Sequence, residues 1–436
     1  MMRALLGGVL ATLAVSLLGS GAWAQQTRPA EEPAPRQDTQ PRGITDLPNT
    51  NLPNTGASVT RYPLELLGLL EPQRGGVTLI PSIAISEEYN DNVLTNNTNK
   101  EWDLITSFSP AVALFINRPS YWLSAGYSSH ADVYARNSSL DTIFSTGDLL
   151  LNGFWQATPS LSFFVYDTYV ANRNTSLTSS QGFGTGRQES WSNEFGPSIT
   201  WRLTASTSLT AGADYLANRF QGNGTGADSD TYRGLIGLRH SFTERLTGTV
   251  GYRFTFIDLR NQDDSTTHEP TIGLGYRFTP TLTAFASGGP AITLIGNETF
   301  VSPAGTAGIF QVFRFGSAIL QYTNDVAVAG GFGGTNNTQT ILGTLLLNTL
   351  YPGLIVTFGP EYSIAKSVTS GQGQTVDARA LTVNVGASYR LARYVNIFAG
   401  YTFYQQRTGS SSTIQIDADQ NRVRVGVQFG YPINFN

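Results

Sequence analysis

Residues Leu381–Leu391 read LTVNVGASYRL, and apolar side chains occupy every second position of this segment. The apolar set consists of Leu381, Val383, Val385, Ala387, Tyr389 and Leu391. The intervening set consists of Thr382, Asn384, Gly386, Ser388 and Arg390. Successive side chains of a β-strand point to opposite faces, so a period of two predicts a strand with one apolar and one polar face.

The same alternation extends through much of the chain on either side of this segment. It continues in VNIFAGYTFY (395–404) and RVRVGVQFGYPINF (422–435), and it recurs at 103–117, 121–135, 195–203, 246–257 and 271–278. It is blurred at 161–171, 282–295 and 304–322, where the facing of the side chains is not predicted. The pattern predicts an all-β protein with many two-faced strands.

Composition narrows the class of all-β fold. Charged residues make up 13% of the chain, aromatic residues 11%, and there are 46 glycines. Beyond residue 26 no run of roughly 18 apolar residues could form a spanning helix. Low charge with alternating strands is typical of a transmembrane antiparallel β-barrel, in which one face meets lipid and the other meets the lumen. A soluble solenoid or sandwich array would not place Val, Phe, Tyr and Leu on one face of nearly every strand.

The N-terminal region predicts export. Arg3 precedes a short apolar core, and Ala22-Trp23-Ala24 is a small-x-small cleavage site, so residues 1–24 are predicted to be a signal peptide. Residues 25–76 are rich in proline and polar residues and are predicted to be a disordered periplasmic segment. The barrel is predicted to span residues 77–436. The chain has no cysteine, which excludes a lipoprotein anchor and a disulfide framework.

Connections between the predicted strands alternate in length. Short ones lie near 117–120, 157–160, 203–207, 242–244, 279–281, 351–353 and 392–394. Long ones lie near 90–102, 136–146, 172–188, 218–230, 258–268, 296–308, 330–338, 366–377 and 407–419. Short periplasmic turns that alternate with long extracellular loops are typical of outer-membrane barrels. Nine long loops predict 18 strands if an extra turn lies near Phe313–Gly316, and 16 strands if it does not.

The expected partners follow from this location and from the net charge. The terminal strand carries an aromatic residue, Phe435, of the kind that barrel assembly machinery recognises. Outer-membrane lipid and lipopolysaccharide would surround the barrel. A net charge of −4 argues against a nucleic-acid partner, since such proteins are normally basic.

The first predicted strand changes character abruptly within VTLIPSIAISEEYNDNV (Val77–Val93). About ten residues of tilted strand cross the hydrocarbon layer, so the chain should have left it by Glu87. Tyr89 then fits the interfacial aromatic girdle, and the Asn and Asp residues that follow open a loop. The alternative is a divalent-cation site made by Glu87, Glu88, Asp91 and Asp103, because hard cations prefer clustered oxygen ligands.

The strand end EEYNDNV (Glu87–Val93), followed by DLITSFSPAVAL (103–114), resembles the beta-barrel porin 2 family of Gram-negative outer-membrane proteins. The resemblance covers 77–436, and its sharpest motif is Tyr89–Val93 together with Ser109-Pro110. It implies a barrel of roughly 16 to 18 strands associated with exopolysaccharide production or export. It also implies polysaccharide or periplasmic export components as partners.

The histidines give no support for catalysis. His130 lies in SSHAD (128–132), where Ser128 and Asp132 are its i±2 neighbours on one strand, about 7 Å apart and too far for a nucleophile and its base. His240 adjoins a short turn, and His268 is predicted to lie in the fifth long loop. The sequence contains no phosphate-binding loop, metal-ligand spacing or other cofactor motif, so no enzyme is predicted.

Charged residues on the polar faces predict an electrostatically patterned lumen. Four arginines end strands that run toward short turns and are predicted to form a basic collar at the periplasmic mouth: Arg202, Arg239, Arg277 and Arg390. Four carboxylates are predicted to face the outer part of the lumen: Asp132, Glu194, Asp214 and Glu361. The collar would attract anionic solutes or polymers. The alternative is that these charges, together with Arg233, Arg253, Arg422 and Arg424, simply pair across neighbouring strands.

The sequence therefore predicts a porin-like outer-membrane channel for passive passage of solutes or export of an exopolysaccharide. A non-conducting structural or adhesive barrel is the main alternative, and a barrel lipid hydrolase is the third.

Overall fold

The structure is a computed structural model that describes residues 76–222, 224–260, 262–368 and 375–435. The predicted signal peptide (1–24) and periplasmic segment (25–76) lie outside the described residues, apart from Gly76. Among the residues described, no helix has the length and apolar character needed to cross a bilayer.

The described residues form eighteen long strands and one short terminal strand. The first ten are β1 (Gly76–Asn90), β2 (Asp103–Asn117), β3 (Tyr121–Tyr134), β4 (Thr142–Thr158), β5 (Leu161–Asn174), β6 (Arg187–Arg202), β7 (Thr207–Phe220), β8 (Ser229–Ser241), β9 (Leu246–Leu259) and β10 (Ser265–Thr279). The others are β11 (Leu282–Ile295), β12 (Glu298–Phe313), β13 (Gly316–Ala327), β14 (Asn336–Leu347), β15 (Leu354–Ser367), β16 (Asp377–Ala392), β17 (Val395–Thr408), β18 (Ala418–Gly430) and β19 (Ile433–Phe435). A single turn of helix, α1 (Thr175–Thr178), and a 3-10 turn (Ser138–Leu140) lie in the loops.

The strands close into one antiparallel barrel. Each strand pairs with its neighbours in sequence, and β1 pairs with β18 from Ser82↔Gly430 to Asn90↔Arg422. Strand β19 continues the line of β18 and pairs with β1 through Val77↔Phe435. Closure leaves no unpaired sheet edge, which is the condition for a sheet that spans a membrane. The described residues therefore confirm the 18-strand prediction, and the 16-strand alternative is wrong.

The connections confirm most of the predicted pattern, with one correction. The cramped turn is present, because β12 ends at Phe313 and β13 begins at Gly316. The predicted long loop at 296–308 is wrong. Only Gly296 and Asn297 separate β11 from β12, and residues 298–308 are paired strand. Small residues, Gly and Pro on both faces of β12 concealed its alternation, as in the outward pairs Ala286↔Ala307 and Pro290↔Pro303.

Side-chain exposure confirms the predicted facing where the alternation is clear. On β16, Val385 is 39% exposed on the outer surface, whereas Ser388 on the other face is 4% exposed. Aromatic pairs mark both rims of the outer surface, Tyr89 with Trp102 near the long loops and Trp155 with Phe163 near the short turns. An apolar outer band bounded by aromatic residues is the surface of an outer-membrane barrel. The short-turn end is accordingly the periplasmic, inner end and the long-loop end is the extracellular, outer end.

Candidate functional site: the barrel lumen

The third long connection, residues 175–186, turns into the lumen rather than outward. It begins with α1, whose cap is the Asn174 side chain accepting a hydrogen bond from the Ser176 amide. Further along, the Gly184 amide donates to Gln406 Oε1 at 2.9 Å, and Gln406 Nε2 donates to the Gly184 carbonyl at 2.8 Å. Gln406 belongs to β17, so this segment, which we call the inward loop, reaches from β5 across part of the lumen to a wall strand six positions away around the barrel.

A small apolar core fixes the inward loop in place. Phe183 is completely buried and packs with Phe332 from the loop that follows β13 and with Tyr404 of β17. The remaining members of this cluster are Ala329, Ala365, Val376, Ala378, Ala380 and Ala418. Two extracellular loops thus meet inside the outer half of the barrel, where they narrow it.

A cavity remains beside the inward loop. It has a volume of about 290 Å³ and is lined by the inward loop and by wall residues of β1–β5 and β15–β18. A second, more open space of about 770 Å³, which we call the vestibule, lies between the extracellular loops. Arg187, the first residue of β6, lines both spaces. Its guanidinium donates to the Tyr134 hydroxyl at 3.0 Å and to the Val93 carbonyl at 3.2 Å, so it stands between the vestibule and the cavity.

The cavity contains two of the four predicted lumen carboxylates, Asp132 and Glu361. Its other charged lining residues are Glu88, Asp148, His130, Arg187, Arg422 and Arg424. Asp132 accepts from the Ser107 hydroxyl at 2.6 Å, and Arg424 Nε donates to the Ser86 hydroxyl at 2.9 Å. Both signs of charge are therefore present, and the wall around them is polar.

The other two predicted carboxylates, Glu194 and Asp214, belong to a separate cluster that we call the charge network. Arg233 Nε lies 2.9 Å from Asp214 Oδ2, and Arg233 Nη2 lies 3.6 Å from Glu194 Oε1. Arg253 on β9 continues the network, 2.7 Å from Glu269 Oε2 and 2.9 Å from Asp325 Oδ2. The side chain of Asp214 is 3% exposed and that of Glu269 is 1% exposed. These charges pair with one another, as the alternative interpretation of the sequence expected.

The predicted collar residues lie at the inner end on the lumen side of their strands. Arg202 ends β6, and Arg239, Arg277 and Arg390 each lie two residues before the end of β8, β10 and β16. We define the inner end as the short turns together with the three strand residues on either side of each turn. In the described chain this region contains eight arginines: Arg118, Arg202, Arg239, Arg245, Arg277, Arg314, Arg390 and Arg393. Glu244 is the one carboxylate in that described set. The inner mouth is strongly basic.

His130 has different partners from those its sequence neighbours suggested. Its Nδ1 lies 2.9 Å from the Ser109 hydroxyl of β2, and its Nε2 lies 3.6 Å from Asp148 Oδ2 of β4. Ser109 is 3% exposed, so a substrate carbonyl could not reach its hydroxyl, and 3.6 Å is too long for an orienting hydrogen bond. We interpret these contacts as polar bridges within the barrel wall. The prediction that His268 lies in the fifth long loop is wrong. It lies on β10, and its Nδ1 is 2.6 Å from the Tyr252 hydroxyl.

The alternative cation site is not assembled. Glu87 accepts from Thr106 at 2.8 Å, and Asp91 accepts from the amide and side chain of Asn421, both at 2.7 Å. Asp103 accepts from the amides of Arg136 and Asn137 in the next loop. In the part of the chain that the structure describes, no group of three or more His, Cys, Asp and Glu residues could hold a metal ion.

No family model matches this chain, and no curated protein matches it. Solved structures with low similarity include OpdQ of Pseudomonas aeruginosa, at 10% identity and a TM-score of 0.41. The match covers 82% of this chain and 98% of the OpdQ chain. The outer membrane protein OpdK of the same organism has 11% identity and a TM-score of 0.40, and the match covers 82% of this chain and 99% of the OpdK chain. OccAB4 of Acinetobacter baumannii has 12% identity and a TM-score of 0.38, and the match covers 83% of this chain and 99% of the OccAB4 chain. Similarity this low assigns neither a family nor a ligand, and the resemblance to the beta-barrel porin 2 family is not confirmed.

Proposed function

We propose that this protein is a passive outer-membrane channel whose lumen is narrowed, without being filled, by the inward loop. The observation that carries the proposal is the pair of adjacent spaces on either side of Arg187, the extracellular vestibule and the lumen cavity below it. A lumen wall that is polar and charged behind an apolar exterior favours water inside the barrel. The basic inner mouth would raise the local concentration of anions in that water.

Purified protein in a planar bilayer is expected to give discrete current steps. Replacing residues 177–183 of the inward loop by two glycines should increase the step size severalfold, because the loop and Phe183 occupy the outer half of the lumen. Single-channel recording measures both quantities.

The control variant replaces residues 98–100, in the exposed part of the loop between β1 and β2, by two glycines and should leave the step size unchanged. Wild type without current steps, in protein that shows the heat-dependent gel mobility of a folded barrel, would instead support a non-conducting structural or adhesive barrel.

Changing all four collar arginines to Gln is expected to lower the anion-over-cation permeability ratio by roughly sevenfold at low salt, if the potential at the mouth falls by about one kT per unit charge, because anions then become about 2.7-fold scarcer and cations about 2.7-fold more abundant there. The effect should shrink at high salt, since the Debye length is about 8 Å at physiological ionic strength. Reversal potentials across a salt gradient measure the ratio.

The matched control removes the same charge from four arginines of the short turns, Arg118, Arg245, Arg314 and Arg393, which lie beside the mouth rather than on the lumen wall. Its effect on the ratio should be smaller. Equal effects from the two quadruple variants would mean that the total charge of the inner end, and not a collar, sets the preference.

The finer parts of the sequence hypothesis belong to this proposal as well. Membership of the beta-barrel porin 2 family, export of an exopolysaccharide and contacts with periplasmic export components rest on the motif around Tyr89–Val93 and Ser109-Pro110. Recognition by the assembly machinery rests on Phe435, and contact with lipid and lipopolysaccharide rests on the apolar exterior. A lipid hydrolase is disfavoured because Ser109 is buried beside His130.

A further inference from the structure

Three adjacent strands near the inner mouth each carry two consecutive aromatic residues. These are Tyr121-Trp122 on β3, Phe154-Trp155 on β4 and Phe163-Phe164 on β5. The register aligns them in two rows, Tyr121↔Trp155↔Phe163 and Trp122↔Phe154↔Phe164. Because neighbours along a strand face opposite sides, one ring of each pair meets lipid and the other faces the lumen.

The rings of the second row are neighbours on the lumen face of the wall and contact one another from strand to strand. Trp122 lies 6.3 Å from Phe154, with nearly parallel planes (18°), and 6.3 Å from Phe164. Phe164 lies 6.2 Å from Tyr166, two residues further up β5 on the same face, at an interplanar angle of 29°. Gly196 of β6 lies beneath Tyr166, and a Cβ there would collide with the ring. We call Trp122, Phe154, Phe164 and Tyr166 the aromatic file.

The aromatic file runs from the inner mouth to the charge network. Trp122 is the second residue after a short turn and is 39% exposed, whereas Tyr166 is 7% exposed. The Tyr166 hydroxyl donates to Glu194 Oε1 at 3.3 Å. These rings stand on the polar face of their strands, where packing against lipid cannot account for them. They also explain why the alternation is blurred at 161–171.

Small uncharged polar residues border the file. Ser124 and Asn152 pair with each other in the row above Trp122 and Phe154, and Asn152 also pairs with Tyr166. Gln156 and Ser162 pair in the row below, on the same face of the wall. The strip therefore combines flat apolar surfaces with amide and hydroxyl groups.

A pyranose ring matches this combination. One of its faces presents C–H groups with partial positive charge, which are attracted to the negative face of an aromatic ring. Its hydroxyl groups, which project from the rim, need hydrogen-bond donors and acceptors beside that ring. An aromatic carboxylate would use the same flat surface, but it would require a cation within the strip.

We propose that the aromatic file is a binding track for uncharged saccharide, which slides along it between the inner mouth and the level of Tyr166. This rests on the proposed channel function for its purpose, although binding itself does not require current. The file is distinct from the arginine collar, which acts on charge at the mouth.

The test is calorimetric titration of the detergent-solubilised full chain with maltohexaose, together with the block of single-channel current by the same sugar. The double variant Trp122→Ala/Phe164→Ala should raise the dissociation constant about tenfold. A tenfold change corresponds to about 1.4 kcal/mol, which is within the range expected for the loss of two stacking contacts. The matched control Tyr121→Ala/Phe163→Ala removes the outward rings of the same residue pairs and should leave the constant unchanged.

The outcomes separate the two proposals. Sugar binding to folded protein that carries no current would keep the track and overturn the channel. Current steps with no binding of maltohexaose, or equal weakening by the inward and outward variants, would overturn the track. Binding of benzoate in place of maltohexaose would overturn the saccharide class.

Discussion

Replacing Arg233 by methionine is expected to lower the free energy of unfolding by about 3–5 kcal/mol, the cost of breaking a buried ion pair on one side. The guanidinium lies 2.9 Å from Asp214, whose side chain is 3% exposed, and 3.6 Å from Glu194. Without it both carboxylates stay inside the lumen wall and lose their nearest cation. Urea titration of protein refolded into lipid vesicles measures the change.

The matched control is Arg260→Met. Arg260 pairs with Asp228 at 3.2 Å, but its side chain is 75% exposed near the outer rim. Exposed pairs contribute about 0–1 kcal/mol, so this variant should be nearly as stable as wild type. A similarly small loss for Arg233→Met would mean that lumen water solvates the two carboxylates and that the charge network does not stabilise the barrel.

Replacing Val385 by arginine is expected to cost roughly 2–4 kcal/mol, the penalty measured for a cation on the lipid face at mid-depth. Val385 lies near the middle of β16 and is 39% exposed on the outer surface. The same titration measures the loss, and the yield of assembled barrel should fall with it.

The adjacent residue provides the matched control, since the Asn384 side chain lies on the opposite, lumen face of β16 and an arginine there reaches water. Asn384→Arg should be mild, although it removes the 2.9 Å hydrogen bond from Thr402. Equal costs at the two positions would refute the assigned facing. Gly426 also faces the lumen but cannot serve as a control, because a Cβ there would collide with Phe398 and the Ile85 carbonyl.

Alternation predicted the barrel because two solvents, lipid and water, act on opposite faces of every strand. The signal was strong on β16 and β18, where Val, Leu and Tyr alternate with polar residues. It failed on β12, since Ala, Gly and Pro fit either solvent, and on β5, since the aromatic file places rings on the lumen side. On β12 the residue types do not distinguish lipid from water, and on β5 apolar rings face the lumen, so in neither strand does polarity alternate from one residue to the next.

The contents of the lumen were less predictable than its wall. The sequence assigns the carboxylates to a face of each strand, but the pairing of Arg253 with Asp325 depends on which strands lie near one another in space. The partners of the inward loop, Gln406 and Phe332, belong to distant parts of the chain, so its inward course could not be predicted from residues 175–186 alone. Leu177 and Phe183 are the only local signals, two large apolar residues in a loop of Gly and polar residues.

The hydrogen bonds of the inward loop also determine the order in which the molecule is completed. Gly184 and Gln406 are separated by 222 positions, and Asn174 and Gln420 by 246. Contacts of such long range form late, because the entropy of closing the intervening chain is lost before they are made. The loop can therefore be secured only after β17 and β18 have been added and the cylinder has sealed. Until that final step the outer half of the lumen lacks the contacts that hold the constriction in place.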